Sequence, residues 1–292
     1  MLLVAAAVAF GWSRLVANSS TGQPVDASAF ASGACVAYGP RSGDRNQTVF
    51  LDAGHGGIDP GGVGTTQAGH TTFEANATLP VELDAMALLR AKGFRVVVSR
   101  TRNTGVLRLG PEDVSDGSLT LQGAHDDVAA RDVCANLANA NVLVGIYFDA
   151  SASSQTAGSL TAYDAARPFS AANVRLAGLL QNDVLAAMDA QGWAIPNDGV
   201  LSDGGLGSSV GNPSVGGLAA QSAAYDHLLL IGPAVAGYFS TPSEMPGAVI
   251  EPLYITDPFE GSIADSTHGQ MVIARGIATA IEQFLRTPTP ST

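Results

Sequence analysis

Apolar runs alternate with segments of helical periodicity along most of the chain. Runs with the length and composition of buried strands lie at residues 49–52, 95–99, 142–148 and 248–251. Apolar residues recur at helical spacing in segments 79–92, 125–140, 171–191 and 269–284. Apolar strands that alternate with amphipathic helices are typical of parallel β-α-β units covered on both faces. The pattern therefore predicts an α/β fold: a single domain whose central sheet is mostly parallel or mixed, with helices on both faces.

Both ends of the chain lack this pattern. Residues 1–12 (MLLVAAAVAFGW) form an apolar segment that suits the core of a signal peptide and is short for a membrane span; a buried helix is the alternative. We interpret residues 1–34 as a signal or anchor segment with a disordered leader, residues 35–286 as the folded domain, and residues 287–292 as a disordered tail. The protein is therefore expected to be exported, with no stable membrane span in the mature chain.

The chain contains two cysteines, Cys35 and Cys134. An exported protein can join two cysteines in one disulfide, whereas a cytosolic protein usually keeps its thiols reduced. We expect the two to be joined, which would attach the start of the domain to a helix. Two unpaired, buried cysteines are the alternative.

The chain is acidic, with 14 Lys and Arg against 26 Asp and Glu in 292 residues and a formal net charge of -12. Binding to a nucleic-acid backbone needs clustered cations, so no nucleic-acid partner is expected. The length suffices for a full hydrophobic core, and a single compact domain makes a monomer the simplest prediction.

The leading site candidate is the histidine in the stretch TVFLDAGHGG, residues 48–57. A buried strand that ends in a glycine-rich turn presents its next polar side chain at the carboxyl edge of the sheet. Open α/β folds place their ligand sites at that edge. His55 is therefore the first candidate for a functional side chain.

Two glutamates complete the candidate site. Glu74 opens a helix in FEANATL, where the helix dipole alone favours a carboxylate, so a purely structural role is the alternative. Glu251 ends the apolar run AVIE, and a carboxylate that leaves a buried strand must be paired, protonated or metal-bound. A histidine and a glutamate can share a zinc ion, and a second glutamate can then accept a proton from water.

Residues from about 48 to 285 resemble the zinc-dependent N-acetylmuramoyl-L-alanine amidases of the LytC/AmiC type, the Amidase_3 family, particularly its exported actinobacterial members. The blocks that carry the resemblance are, in order, VFLDAGHGGIDPGG, FEANATL, GFRVVVSRTRN, AARDVCANLANANVLVGIYFDAS, GSLTAYD and MPGAVIEPLYITDPFEG. The resemblance implies that residues 35–286 form an amidase-like catalytic domain. It also implies a periplasmic or cell-wall location and a peptidoglycan or muropeptide substrate.

The resemblance further implies a division of roles within the site. His55 and Glu74 would bind Zn2+, and Glu251 would be the catalytic carboxylate. The implied reaction is hydrolysis, by zinc-activated water, of the amide bond between N-acetylmuramic acid and L-alanine. This agrees with the chemistry that the residues themselves suggest.

One position departs from the family. There, the strand matching VLVGIYFDAS ends in Ser-Ile-His, and that histidine is the third zinc ligand; Tyr147 stands in its place here. Tyrosine is a poor zinc ligand at neutral pH because its phenol has an unperturbed pKa of about 10. Asp149, two residues later, would share a face with Tyr147 on an extended strand and is a candidate replacement. The alternative is that Asp149 caps the next turn, together with Ser151 and Ser153.

The remaining histidines and the glycine-rich segment are weaker candidates. His70 lies near Glu74 in sequence but suits a solvated loop equally well. His125 and His227 are interpreted as ordinary surface or core histidines, and His268 as a residue at a helix start. Residues 202–217 (SDGGLGSSVGNPSVGG) do not match a phosphate-binding loop and are read as a rim of the site or a connector.

Two other functions remain open on the sequence. Tyr147 favours a family member that has lost the metal and binds muropeptide or regulates a cell-wall hydrolase. The retained set of His55, Glu74 and Glu251 favours catalysis. A sugar-active enzyme with Glu74 and Glu251 as paired carboxylates would need them about 5–10 Å apart with no metal between them, and the family resemblance argues against it. A structure with His55 turned away from both glutamates would favour it.

Overall fold

The fold is described from a computed structural model of the chain, which defines residues 21–26, 28–204, 221 and 224–286. Within this part, the secondary structure consists of an eight-stranded sheet, two small hairpins and five α-helices. The predicted signal segment at residues 1–12 and the tail at 287–292 lie outside the described residues, as does most of the glycine-rich segment 202–217.

The central sheet has the strand order β1-β2-β6-β3-β9-β12-β10-β11. Its strands are β1 (Gln23–Pro24), β2 (Ala34–Tyr38), β3 (Thr48–Ala53), β6 (Arg95–Arg100), β9 (Val142–Ile146), β10 (Ser159–Tyr163), β11 (Asn197–Ser202) and β12 (Gly247–Glu251). The hairpins pair β4 (Val63–Thr65) with β5 (Thr71–Phe73) and β7 (Val114–Ser115) with β8 (Ser118–Leu119).

The four central strands, β6, β3, β9 and β12, are parallel to their neighbours within this group. The carboxyl ends of these strands therefore meet at one edge of the sheet. On one flank β2 runs antiparallel to β6; on the other, β10 runs antiparallel to β12 and carries β11 parallel to itself. The α/β fold with a mixed central sheet is confirmed.

Helices cover both faces of the sheet, as predicted. They are α1 (Glu74–Ala91), α2 (Leu121–Leu137), α3 (Ser170–Asp189), α4 (Pro258–Ala264) and α5 (Thr267–Arg286). Helices α1, α3 and α5 contribute to the core on one face, whereas α2 contributes to the core on the other.

The alternation of side chains along the strands divides these two cores. In β3, Val49 and Leu51 belong to the core beneath α1, α3 and α5, whereas Phe50 belongs to the core beneath α2. In β6, Val96 and Val98 belong to the core beneath α1, α3 and α5, whereas Val97 belongs to the core beneath α2. Strands with both faces buried read as continuous apolar runs, which is why they were visible in the sequence.

Ordered structure begins before residue 35, the predicted start of the domain. Strand β1 pairs antiparallel with β2, and Phe30 is 2% exposed and bridges to Leu107. Residues 21–26 and 28–34 thus contribute to the sheet edge and the core rather than to a disordered leader.

The expected disulfide is present. Cys35 of β2 and Cys134 of α2 are bonded, with Cα atoms 5.7 Å apart, and both residues are fully buried. The bond links the edge of the sheet to the helix on its second face. Among the described helices, none combines the length and hydrophobicity needed to cross a membrane.

Replacing both Cys35 and Cys134 by serine should lower the free energy of unfolding by about 2–5 kcal/mol, since the bond closes a loop with a sequence separation of 99. Denaturant unfolding monitored by circular dichroism measures the difference. Adding a reductant should destabilise the unmodified protein similarly and leave the variant unchanged; equal sensitivity of the two proteins would contradict a stabilising role.

Candidate active site

The predicted site residues meet at the carboxyl edge of the parallel strands. His55 lies two residues after β3, Glu251 is the last residue of β12, and Asp149 follows β9. Glu74 is the first residue of α1 and reaches the same edge from the β4–β5 side. These side chains line one open cleft together with Tyr147 and Asp59.

The turn after β3 brings His55 into a close cluster. His55 adopts a φ of 61°, in the left-handed region that few non-glycine residues occupy. Gly61 permits the approach, because a Cβ there would lie 2.6 Å from the His55 ring and 2.7 Å from Glu74 Oε2. The strained backbone is therefore held in place by contacts around the ring.

Both nitrogens of the His55 ring face carboxylates. Nδ1 lies 2.8 Å from Asp59 Oδ2, and Nε2 lies 3.1 Å from Glu74 Oε1. Burial lowers the pKa of His55, but Glu74 and Asp59 outweigh it and raise the pKa to about 10. The cluster thus favours a positive charge at the histidine.

Glu74 is 3% exposed and is fixed by backbone donors. Its Oε1 accepts a hydrogen bond from the N–H of Phe148 at 3.0 Å, and its Oε2 accepts one from Gly62 at 2.8 Å. A carboxylate that served only the helix dipole would not need these partners or the contact with His55. The structure therefore places Glu74 in the site.

Glu251 and Asp149 form a carboxyl pair on the other side of the cleft. Burial, together with the nearby Asp149 and Glu74 carboxylates, raises the pKa of Glu251 to about 8. A hydrogen bond joins the Glu251 and Asp149 side chains, so this pair holds a proton between two acidic groups.

Tyr147 is turned away from a ligand role. Its hydroxyl donates to Asp52 Oδ2 at 3.1 Å, and its ring packs edge-on against His55 with centroids 5.4 Å apart. Burial and the Asp52 carboxylate raise the pKa of the phenol well above its ordinary value. Gly54 makes room for the ring, because a Cβ there would lie 2.4 Å from it.

The contacts of Asp149 lie mainly on the Glu251 side. Its Oδ1 accepts a hydrogen bond from Ala150 N at 2.7 Å, and its side chain also bonds to Tyr254. In the described part of the chain, one group of three His, Cys, Asp or Glu side chains has ligand atoms within 4.8 Å of one another. It comprises Asp164, Asp203 and His227 and does not lie at this edge. A role for Asp149 as third zinc ligand stays a prediction.

Two buried arginines hold the turn that carries His55. Arg131 of α2 donates to Asp52 Oδ1 at 2.7 Å, to the carbonyl of His55 at 3.0 Å and to Asp127 Oδ2 at 2.7 Å. Arg100 of β6 donates to the carbonyl oxygens of Ala53 and Gly54, both at 3.1 Å. The position of His55 thus depends on charges below the cleft.

Asp59, Asp52 and Arg131 support the site but were not among the site residues predicted from the sequence. Asp59 follows His55 by four residues in HGGID, and carboxylate partners of ligand histidines are common enough to have been sought there. Asp127 and Arg131 are four residues apart, the spacing of a helical ion pair, within a segment otherwise rich in alanine.

The other histidines lie outside the cleft lining. His70 is exposed between β4 and β5. His125 is buried beside Asp126 and Tyr238, as expected for a core histidine. His268 is exposed near the start of α5 and contacts Gln191 at 3.0 Å. His227 departs from its expected ordinary role, because it contacts two buried aspartates.

The His55 ring also bears on the sugar-active alternative. A His55 turned away from both glutamates would favour that function. Instead, His55 Nε2 lies 3.1 Å from Glu74 Oε1. The geometry therefore does not favour paired-carboxylate chemistry.

A sequence model of the Amidase_3 family, described as N-acetylmuramoyl-L-alanine amidase, matches residues 49–283. This range contains β3 to β12 and most of α5, and therefore the whole of the cleft. No curated protein matches the chain.

Solved structures of such amidases share the fold. The amidase AmiC2 of Nostoc punctiforme is 21% identical and has a TM-score of 0.55, with 84% of this chain and 100% of that chain covered. The catalytic domain of CwlV from Bacillus (Paenibacillus) polymyxa var. colistinus is 22% identical, with a TM-score of 0.55 and 82% and 98% covered. The CwlD amidase of Clostridioides difficile, solved with the GerS lipoprotein, is 20% identical, with a TM-score of 0.58 and 82% and 99% covered.

Replacing Arg131 by methionine should destabilise the fold by about 3–5 kcal/mol, because Asp52 and Asp127 would stay buried without their shared cation. Arg286, whose side chain is 61% exposed and pairs with Glu282, is the matched control. Its replacement by methionine should cost about 1 kcal/mol or less. Denaturant unfolding of both variants tests this, and equal losses would contradict a special role for Arg131.

Proposed function

We propose a mechanism for this chain, which belongs to the N-acetylmuramoyl-L-alanine amidase family. The reaction is hydrolysis of the amide bond between N-acetylmuramic acid and L-alanine in peptidoglycan. His55 and Glu74 hold a zinc ion, and Glu251 transfers the protons. The observation that carries the proposal is the convergence of His55 Nε2 and Glu74 Oε1, 3.1 Å apart, on the cleft that Glu251 lines.

The donor set fits a zinc ion in two respects. An imidazole nitrogen and a carboxylate oxygen are ordinary zinc ligands. Asp59 on Nδ1 of His55 directs Nε2 into the cleft, which is the arrangement that orients ligand histidines in zinc sites. The carboxylates of Glu74 and Asp59 beside the ring also provide negative charge that a bound cation would neutralise.

The zinc ion needs a third protein ligand besides His55 and Glu74. Tyr147 is engaged with Asp52, so the proposal assigns that role to Asp149, the carboxylate that lies beyond Tyr147 along the chain. The chemistry that zinc supplies when bound is polarisation of the amide carbonyl and activation of water.

Glu251 is assigned the proton transfers. It emerges from the end of a buried strand into the cleft and makes a hydrogen bond with Asp149, a partner that can hold it in place. As a general base it accepts a proton from water, and as a general acid it returns that proton to the amino group of the departing L-alanine. Arg131 and Asp59 act as positioning residues, through the backbone and the ring of His55 respectively.

Export to the periplasm or cell wall forms part of the proposal. The Cys35–Cys134 disulfide is typical of proteins that fold in an oxidising compartment. Peptidoglycan lies in such a compartment, so location and substrate agree. The protein is also proposed to be a monomer, because that is the simplest state of a single compact domain.

A muropeptide-binding protein without catalysis is the second candidate. The observation that favours it is the phenol of Tyr147, which occupies the position of a family ligand and is bonded to Asp52. Turnover and zinc that is lost on replacing His55 separate the two functions, because a binding protein would show neither.

Replacing Glu251 by glutamine should lower turnover by about 10²- to 10⁴-fold with zinc retained, because the proton acceptor is lost and the metal ligands are not. Replacing His55 by alanine should abolish activity and lower the zinc content by about one ion per chain, the ion bound at this edge. New L-alanine amino groups released from peptidoglycan report the reaction, and elemental mass spectrometry reports the zinc. Full activity of the Glu251 variant would refute the assigned role.

The third ligand can be tested by three substitutions. Asp149→Ala should weaken zinc binding, Tyr147→Phe should leave it unchanged, and Tyr147→His should tighten it by restoring an imidazole donor. Titration with a competing chelator measures each affinity. Weaker binding in the Tyr147→Phe protein together with unchanged binding in the Asp149→Ala protein would reverse the assignment.

A further inference from the structure

A second cluster of histidine and carboxylate side chains lies at the opposite edge of the sheet. Asp164 directly follows β10 and Asp203 directly follows β11. These strands are parallel to each other, and β10 is antiparallel to β12. The carboxyl ends of β10 and β11 therefore lie away from the edge that holds His55 and Glu251.

His227 joins the two aspartates. Its Nδ1 lies 2.9 Å from Asp164 Oδ2 and 3.5 Å from Asp203 Oδ1. One ligand atom from each of the three residues lies within 4.8 Å of the other two. Three donors from three separate chain segments thus converge on one point.

Backbone donors fix each carboxylate and leave its second oxygen directed at the cluster. Asp164 Oδ1 accepts hydrogen bonds from Ala166 N and Arg167 N, and Asp203 Oδ2 accepts one from Leu228 N. Asp164 Oδ2 has no aligned hydrogen-bond donor among the described residues, although its residue is fully buried. A buried carboxylate oxygen in this state is costly unless a cation or proton satisfies it.

The cationic side chain of Arg167, three residues after Asp164 in sequence, makes no hydrogen bond to Asp164 Oδ2. The guanidinium of Arg167 donates to the carbonyl oxygens of Gly232 and Ser243. Asp164 and Asp203 are both 0% exposed, so solvent does not screen their repulsion.

The donor set selects a class of ion. One imidazole nitrogen and two carboxylate oxygens suit zinc and neighbouring divalent transition metals, whereas calcium and magnesium favour oxygen ligands alone. We propose that Asp164, Asp203 and His227 form a second divalent-metal site, for zinc or a similar transition metal. The ion would link His227 to the two residues that directly follow β10 and β11.

A protonated His227 is the competing occupant of the same space. Its single positive charge would bridge the two carboxylates without any metal. The two arrangements differ in what they predict for added zinc, because only the metal site gains stability from it.

The test uses the full chain with His55→Ala and Glu74→Gln, so that the catalytic edge cannot contribute zinc. After zinc loading and dialysis against metal-free buffer, this protein should retain about one zinc per chain by elemental mass spectrometry. Adding His227→Ala should reduce the content at least tenfold. His268→Ala, which removes an exposed histidine, is the matched control and should leave the content unchanged.

The Asp203→Asn variant allows a second measurement, which does not depend on the stability of the His227→Ala variant. In the absence of metal it should fold as well as its parent or better, because it removes one of two like charges. Zinc at about 100 times its dissociation constant should raise the melting temperature of the parent by about 5–10 °C and leave Asp203→Asn unchanged.

The proposal is overturned if the parent protein retains no zinc, which would leave His227 as a protonated counter-ion. It is also overturned if zinc content and the thermal shift persist after both His227→Ala and Asp203→Asn. Because the catalytic ligands are absent throughout, neither outcome bears on the proposed amidase site.

Discussion

Two buried guanidinium groups hold the chain turn on which the candidate active site is built. Arg131 approaches from α2 and Arg100 from β6, and each donates to backbone carbonyl oxygens between Ala53 and His55. Strand β3 can therefore end abruptly while its last carbonyl groups stay hydrogen-bonded away from water. His55 keeps its left-handed backbone because these bonds, rather than local preference, define the turn.

The charges beneath the cleft also determine what Tyr147 can do. Asp52 and Asp127 neutralise Arg131, and Asp52 then has its second oxygen free to accept the Tyr147 hydroxyl. The tyrosine thus extends the buried network up to the ring of His55. At the position where the resemblance implied a histidine ligand, this chain therefore has a side chain that supports the turn.

Much of the fold could be predicted from the sequence, because β3, β6, β9 and β12 are buried on both faces and read as apolar runs. Strands β10 and β11 were not assigned from the sequence. Both lie at the flank of the sheet, where β10 (SLTAY) alternates polar with apolar residues and β11 (NDGVLS) has only two apolar residues. His55, Glu74 and Glu251 were identifiable as polar residues at element ends. Arg131 was not, because the groups it contacts, Asp52 and the carbonyl of His55, lie in a distant segment that only the fold brings to it. Asp59 lies four residues after His55 and could have been sought as a carboxylate partner of that ring.

The same physical reason explains why the sheet carries two polar clusters and why they act separately. A strand that ends in the core delivers its next polar residue to the sheet edge, and the reversal of β10 sends Asp164 to the edge opposite Glu251. In the register, Leu160 pairs with Glu251, so the five-residue strand β10 separates the two clusters by about 15 Å. At that distance no side chain can serve both clusters, because a zinc–ligand bond is only about 2 Å long. The two edges can therefore hold different occupants.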